Sequence, residues 1–98
     1  MPTYTRAEAE ALLPKVRPLL EDLQRRIAAY RRRPTDPVAR EIAELGVEVK
    51  DPDLGLVDFR TVRRGREVYL CWKLGEGDRI AFWHDLETGF AGRKIIED

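Results

Sequence analysis

Cys71 and His84 are the single cysteine and the single histidine of a 98-residue chain. Between them they offer the two side chains best suited to grip a metal or to act as nucleophile and base. Zinc or a similar ion needs three or four converging Cys, His, Asp or Glu ligands, so carboxylates such as Asp58, Asp85 or Glu87 would have to complete a shell. A Cys–His nucleophilic pair needs hydrogen-bond reach and a third, orienting group. No strand-to-helix elbow or glycine-rich oxyanion loop lies between the two residues.

A second constellation is Trp83-His84-Asp85-Leu86-Glu87, which runs into Gly89-Phe90-Ala91-Gly92-Arg93. Glycines on both sides of Phe90 allow tight or left-handed turns, so Arg93 can fold back toward Asp85 or Glu87. In a ligand-binding version Arg93 clamps an anion, Trp72 or Trp83 forms a wall, and His84, Asp85 and Glu87 complete the pocket. In a structural version the arginine pairs with a carboxylate and fixes the carboxy-terminal loop. The structural version is the preferred expectation, because most ion pairs only hold structure.

These residues must be positioned by the elements around them. Thr5-Arg6-Ala7-Glu8 fits a capping box, so a helix starts near Arg6. Pro14 lacks the amide that Glu10 would need, which predicts a break or kink at Leu13 and a restart at Pro14 or Pro18. Val16, Leu19, Leu20, Leu23, Ile27 and Tyr30 then recur at three and four, one apolar stripe. Arg31-Arg32-Arg33-Pro34 ends that helix, and Thr35-Asp36-Pro37 caps a shorter one carrying Val38, Ile42 and Leu45. Gly46 suits the left-handed residue that stops it. The expected pair is an antiparallel helical hairpin.

Beyond Gly46 the period changes to two. Val47 to Lys50, Leu56 to Phe59, Glu67 to Leu74 and Arg79 to Leu86 are predicted strands, separated by glycine-bearing or proline-bearing turns. A three-residue loop, Gly75-Glu76-Gly77, would pair Leu74 with Asp78 and put Trp72 opposite Ile80. One face then carries Val68, Leu70, Trp72, Leu74, Ile80, Phe82, His84 and Leu86. The other carries Tyr69, Cys71, Lys73, Arg79, Ala81, Trp83 and Asp85. This register separates Cys71 from His84. Metal binding through Cys71, His84 and Asp85 is therefore not favoured, and no cofactor is expected.

Composition bounds the remaining choices. The chain is 43% hydrophobic and 37% charged, the mix of one globular domain over residues 1–98, helical over about 5–46 and β over about 47–98. Eighteen basic residues balance eighteen acidic ones, which disfavours nucleic acid and anionic membrane as partners. No apolar run is long enough to span a membrane, the start lacks a signal-peptide pattern, and one cysteine suits a reducing cytoplasm. There is no serine or asparagine and a single glutamine, a bias that fits a thermophile or a GC-rich genome.

The segments GVEVKD (46–51), GLVDF (55–59), GREVYLCWKLGE (65–76) and FWHDLETGFAGR (82–93) resemble an uncharacterised prokaryotic family, domain of unknown function 2203. TRAEAEALLPKVRPLLEDL (5–23) is similar to that family's opening helix. The resemblance implies a bacterial or archaeal domain without an assigned activity.

The expected fold is α+β: an amino-terminal antiparallel helical hairpin packed on one face of a carboxy-terminal antiparallel sheet of about four strands. The expected function is non-catalytic, a homo-oligomeric binding or assembly module. Tyr69 and Trp83 would be its interface, because a single helical layer leaves the second face of the sheet uncovered. A small anionic-ligand or metal-binding site around His84, Asp85, Glu87 and Arg93, with catalysis as its extension, is the alternative. Third comes nucleic-acid binding through Arg25, Arg26 and Arg31 to Arg33 together with Arg60, Arg63, Arg64 and Arg66.

Overall fold

The computed structural model describes residues 2–30 and 37–97, without the side chains of 28–30. Helix α1 (Arg6–Tyr30) begins at the expected capping box. The Thr5 amide donates to Glu8 Oε1 at 2.8 Å and the Glu8 amide to Thr5 Oγ1 at 3.1 Å. The predicted break at Leu13 does not occur: α1 runs through both Pro14 and Pro18. Both prolines lie on the exposed side, where water can take the carbonyls they leave without an amide. Ala9, Leu13, Val16, Leu20 and Leu23 are buried on the other side and hold the two halves of α1 against one surface.

Helix α2 (Pro37–Glu44) buries Val38 and Ile42. It stops at Gly46, whose φ of 80° is left-handed. A Cβ there would strike Pro2 and the Tyr4 hydroxyl, and that hydroxyl donates to the Leu45 carbonyl. The expected cap at Thr35-Asp36 and the arginine run 31–33 lie outside the described residues. The helical layer is one long helix plus a short one, a loose version of the expected hairpin.

Five strands follow: β1 (Val47–Asp51), β2 (Leu56–Arg63), β3 (Arg66–Lys73), β4 (Phe82–Asp85) and β5 (Lys94–Ile95). They form one antiparallel meander in sequence order. The β2–β3 connection is a two-residue turn with both members left-handed, Arg64 at φ 51° and Gly65 at 77°, as a twisted hairpin demands. Strand β5 has only two residues and was beyond the reach of a period-two pattern.

The predicted register of β3 against β4 is corrected by one residue. Leu70 pairs with Trp83, Cys71 with Phe82 and Tyr69 with His84. Residues 74–81 do not make a three-residue hairpin; they loop out to the helical layer. Trp72 Nε1 donates to the Gly77 carbonyl at 3.1 Å, Arg17 Nη2 to the same carbonyl at 2.8 Å, and the Ile80 amide to Glu10 Oε2 at 2.7 Å. These bonds draw fully buried Ile80 into the core beneath α1. Because the side-chain period is two, the one-residue shift turns every β4 side chain to the other face.

The core lies between helices and sheet. Val47, Val57, Phe59, Leu70 and Trp72 pack there against the buried stripe of α1 and against Val38 and Ile42. Among the described residues the opposite face of the sheet carries no α-helix, only the single 3-10 turn Phe90–Gly92 beside β4.

Candidate metal centre

In β2, Val57 and Phe59 both belong to the helix-facing core. Strict alternation therefore turns Asp58 to the other face. Cys71 is its direct partner on β3, and His84 lies one step along, opposite Tyr69. The three residues are 1%, 0% and 2% exposed. A carboxylate oxygen, the thiol sulfur and an imidazole nitrogen, one from each residue, all lie within 4.8 Å of one another.

The hydrogen bonds of His84 fix where its protons are. Nδ1 lies 2.7 Å from the Asp85 carbonyl, which can only accept, so Nδ1 carries a proton. Nε2 lies 2.9 Å from Asp58 Oδ2. A second proton must therefore sit between imidazole and carboxylate, on one atom or the other. Burial pushes the Asp58 carboxyl above the ordinary carboxylate range, outweighing the attraction of His84. Asp58 Oδ1 is buried without a partner at full hydrogen-bond geometry, and the weak donor near this carboxylate is the Cys71 thiol.

Burial, reinforced by the Asp58 charge, pushes the Cys71 thiol up to about 12. Arg93 Nη1, 3.9 Å from the sulfur, opposes this without overcoming it. Such a thiol is protonated at neutral pH and is a poor nucleophile. A metal ion would reverse that state, because coordination deprotonates the thiol.

The donor set fits an ion of borderline softness. Bond lengths of about 2.0–2.3 Å to N, O and S in a tetrahedron require ligand separations of roughly 3.3–3.6 Å. From an upper bound of 4.8 Å the atoms would close by up to about 1.3 Å, while the 2.9 Å contact between His84 Nε2 and Asp58 Oδ2 would open by about 0.4 Å. Sulfur, imidazole and carboxylate together suit zinc better than the hard ions magnesium or calcium.

Charged clasps lie on both sides of the trio. On the β1 side, Glu48 Oε1 accepts from the Tyr69 hydroxyl at 2.8 Å and from Lys50 Nζ at 2.9 Å, and Arg60 Nη2 donates to that hydroxyl at 2.9 Å. The Tyr69 ring lies 5.3 Å from the His84 ring. On the β4 side, Arg93 donates to both oxygens of Glu76, at 2.7 and 3.3 Å. Its guanidinium lies 3.7 Å from the centre of the Phe82 ring and 4.4 Å from that of Phe90.

A family profile described as an uncharacterised conserved protein, DUF2203, matches residues 27–96. The chain belongs to that family. Asp58, Cys71 and His84 all fall inside the matched region, as do both clasps. Neither a curated protein nor a solved structure matches the chain. No described helix is long and apolar enough to cross a membrane.

Within this DUF2203 domain, the residues expected to share one pocket are dispersed. Cys71 and His84, expected on opposite faces, are together because of the register shift. Asp85 is not with them: it turns to the helix side and pairs with Arg66 at 2.8 Å and Lys94 at 3.8 Å. Arg93 folds back, but to Glu76 rather than to Asp85 or Glu87, and Glu87 is exposed in the turn after β4. Trp72 is fully buried in the core.

Tyr69 and Trp83 do not form a shared exposed patch. Tyr69 is 4% exposed and lies on the Asp58 face. Trp83 is half-buried on the helix side, with Arg63 and Lys94 at 4.9 and 4.8 Å from its ring. Of the nine arginines considered for nucleic acid, four form local ion pairs: Arg25 and Arg26 with Asp22, Arg60 with Glu48, Arg66 with Asp85. Glu48 and Glu76 were missed as site neighbours. The signal for Asp58 was available, since a carboxylate inside the apolar run Leu56 to Phe59 is buried on either face.

Proposed function

We propose that this protein binds one divalent ion of the zinc class through Asp58, Cys71 and His84 Nε2. One observation carries the reading: three different ligand atoms, from a carboxylate, a thiol and an imidazole, converge within 4.8 Å in a buried place. An ion there would replace the proton shared by Asp58 and His84 and the weak thiol contact of Cys71 with the carboxylate. It would also stabilise Cys71 as a thiolate. The hydrogen bond from Nδ1 to the Asp85 carbonyl already orients the ring to present Nε2, as metal-ligating histidines are usually held.

Self-association is a second reading. The face without an α-helix carries exposed Val62 and Ile95, 57% and 66% accessible, at positions whose alternation matches Asp58 and Phe82. A homodimer joined there would cover them, and the expected Tyr69–Trp83 interface would play no part.

Native mass spectrometry of chelator-treated protein, before and after zinc, tests both readings. The expected result is one zinc ion per chain, lost in Cys71→Ala and in His84→Ala. Cys71→Ala leaves the Asp58–His84 pair intact, so circular dichroism should show an unchanged fold. Uptake unaffected by either substitution would refute the metal reading. A monomer at micromolar concentration would remove the dimer.

A further inference from the structure

Three protein ligands leave a fourth coordination position, and its direction can be argued from what surrounds the trio. On the Cys71 side the space is taken by Arg93, Phe82 and Phe90, with the guanidinium of Arg93 locked onto Glu76. On the other side of Asp58 stands Glu48, its direct partner across the β1–β2 pairing. Directly opposed residues on one face have Cβ atoms only about 4.5–5.5 Å apart.

Glu48 is held firmly, yet only one of its carboxylate oxygens is hydrogen-bonded. Oε1 accepts from Tyr69 and Lys50. Oε2 is buried without a hydrogen-bond partner; Arg60 approaches it only to 3.7 Å. Two neighbouring carboxylates, Glu48 and Asp58, thus each present one buried oxygen without a partner at full hydrogen-bond geometry, approached only by Arg60 at 3.7 Å and by the weakly donating Cys71 thiol. Buried acceptors of this kind are normally satisfied by protein or by ordered water. A water bound to the ion and donating to Glu48 Oε2 would meet that need, while the ion itself would serve Asp58.

Access agrees with this direction. The Glu48 and Arg60 side chains are 22% and 23% exposed, whereas Asp58 and His84 are each 2% exposed. Lys50 and Arg60 would offset negative charge arriving there.

We infer that the open coordination position of the Asp58–Cys71–His84 ion faces Glu48 and holds an exchangeable ligand, water or a small monoanion in its place. The inference rests on the metal reading above. Glu48 is a positioning residue: it accepts a hydrogen bond from the bound water and disfavours a competing anion.

Cobalt(II) provides the probe, because its visible bands report both occupancy and ligand exchange. The metal-free protein should bind cobalt(II) with visible bands that azide shifts saturably. Glu48→Gln should keep the cobalt bands and bind azide on the order of tenfold more tightly, because a like charge beside the ligand is removed. Bands that azide leaves unmoved in the wild-type protein would overturn the inference while the metal reading stood. Equal azide affinity in wild type and Glu48→Gln would place the open position elsewhere, which also overturns it. Absence of cobalt binding would refute the metal reading and the inference together. The wild-type titration needs no variant, so a misfolded Glu48→Gln protein would not rescue the idea.

Discussion

The two faces of this sheet are built from the same strands, residue by residue, and follow opposite rules. Facing the helices, Val47, Val57, Phe59, Leu70 and Trp72 form an apolar layer with almost no exposed surface. Facing away, Glu48, Asp58, Arg60, Tyr69, Cys71 and His84 form a layer of titratable groups held by hydrogen bonds and ion pairs. Hydrophobic burial stabilises the first face, and it is indifferent to pH or ligands. On the second, each buried polar group depends on its partner, so removing one member leaves a cost behind. A fold with a single helical layer thus gains a surface where chemistry can be buried without disturbing the core.

The contrast is sharpest in large truncations. Trp72→Ala should cost about 3–5 kcal/mol, since it empties the largest buried side chain of the core. Urea denaturation measures it, and a loss below about 1 kcal/mol would mean that the helical layer is not packed as described. On the other face, His84→Leu should cost nearly as much, about 3 kcal/mol, by stranding Asp58 without its partner. The decisive comparison is the double variant Asp58→Leu/His84→Leu. In metal-free protein it should recover most of that loss, because both charges are removed together. Failure to recover would show that the cost lies in shape rather than charge.

Most of the architecture was legible because it rests on local signals. The capping box at Thr5, the stripe along α1, the stop at Gly46 and the change to period two are each written within a few residues. The candidate site was not, because it hinges on one residue of register between β3 and β4. Gly75 and Gly77 made a tight hairpin plausible, and the two faces it implied were tidy. What overruled it is non-local: Glu10, more than sixty positions away in sequence, receives the Ile80 amide and pulls the connection out to α1. The prolines misled for a related reason. Pro14 and Pro18 do remove amides, but buried neighbours on the opposite side of α1 keep it continuous. Arg93 was expected to fold back toward Asp85 or Glu87 and instead meets Glu76, which sat in the stretch taken for a turn.

The smallest effect separates the layers by the sign of their pH dependence. Glu10 joins α1 to the connection through the Ile80 amide, Arg79 at 3.3 Å and Arg6 at 3.4 Å. Burial alone would raise its carboxyl, but the Ile80 amide and the Arg79 guanidinium outweigh it and leave it below 4.5. A lowered acid stabilises the fold above its unfolded value and loses that contribution as pH falls through its folded one. Asp58 is raised instead, so in metal-free protein its contribution is present at low pH and fades as pH rises through the folded value. Glu10→Gln should therefore cost about 1 kcal/mol at neutral pH, with the difference from wild type closing below 4.5. Asp58→Asn should show the reverse, its stability relative to metal-free wild type improving as pH rises. Urea midpoints for the two variants across this range would give slopes of opposite sign; parallel slopes would break the distinction between the layers.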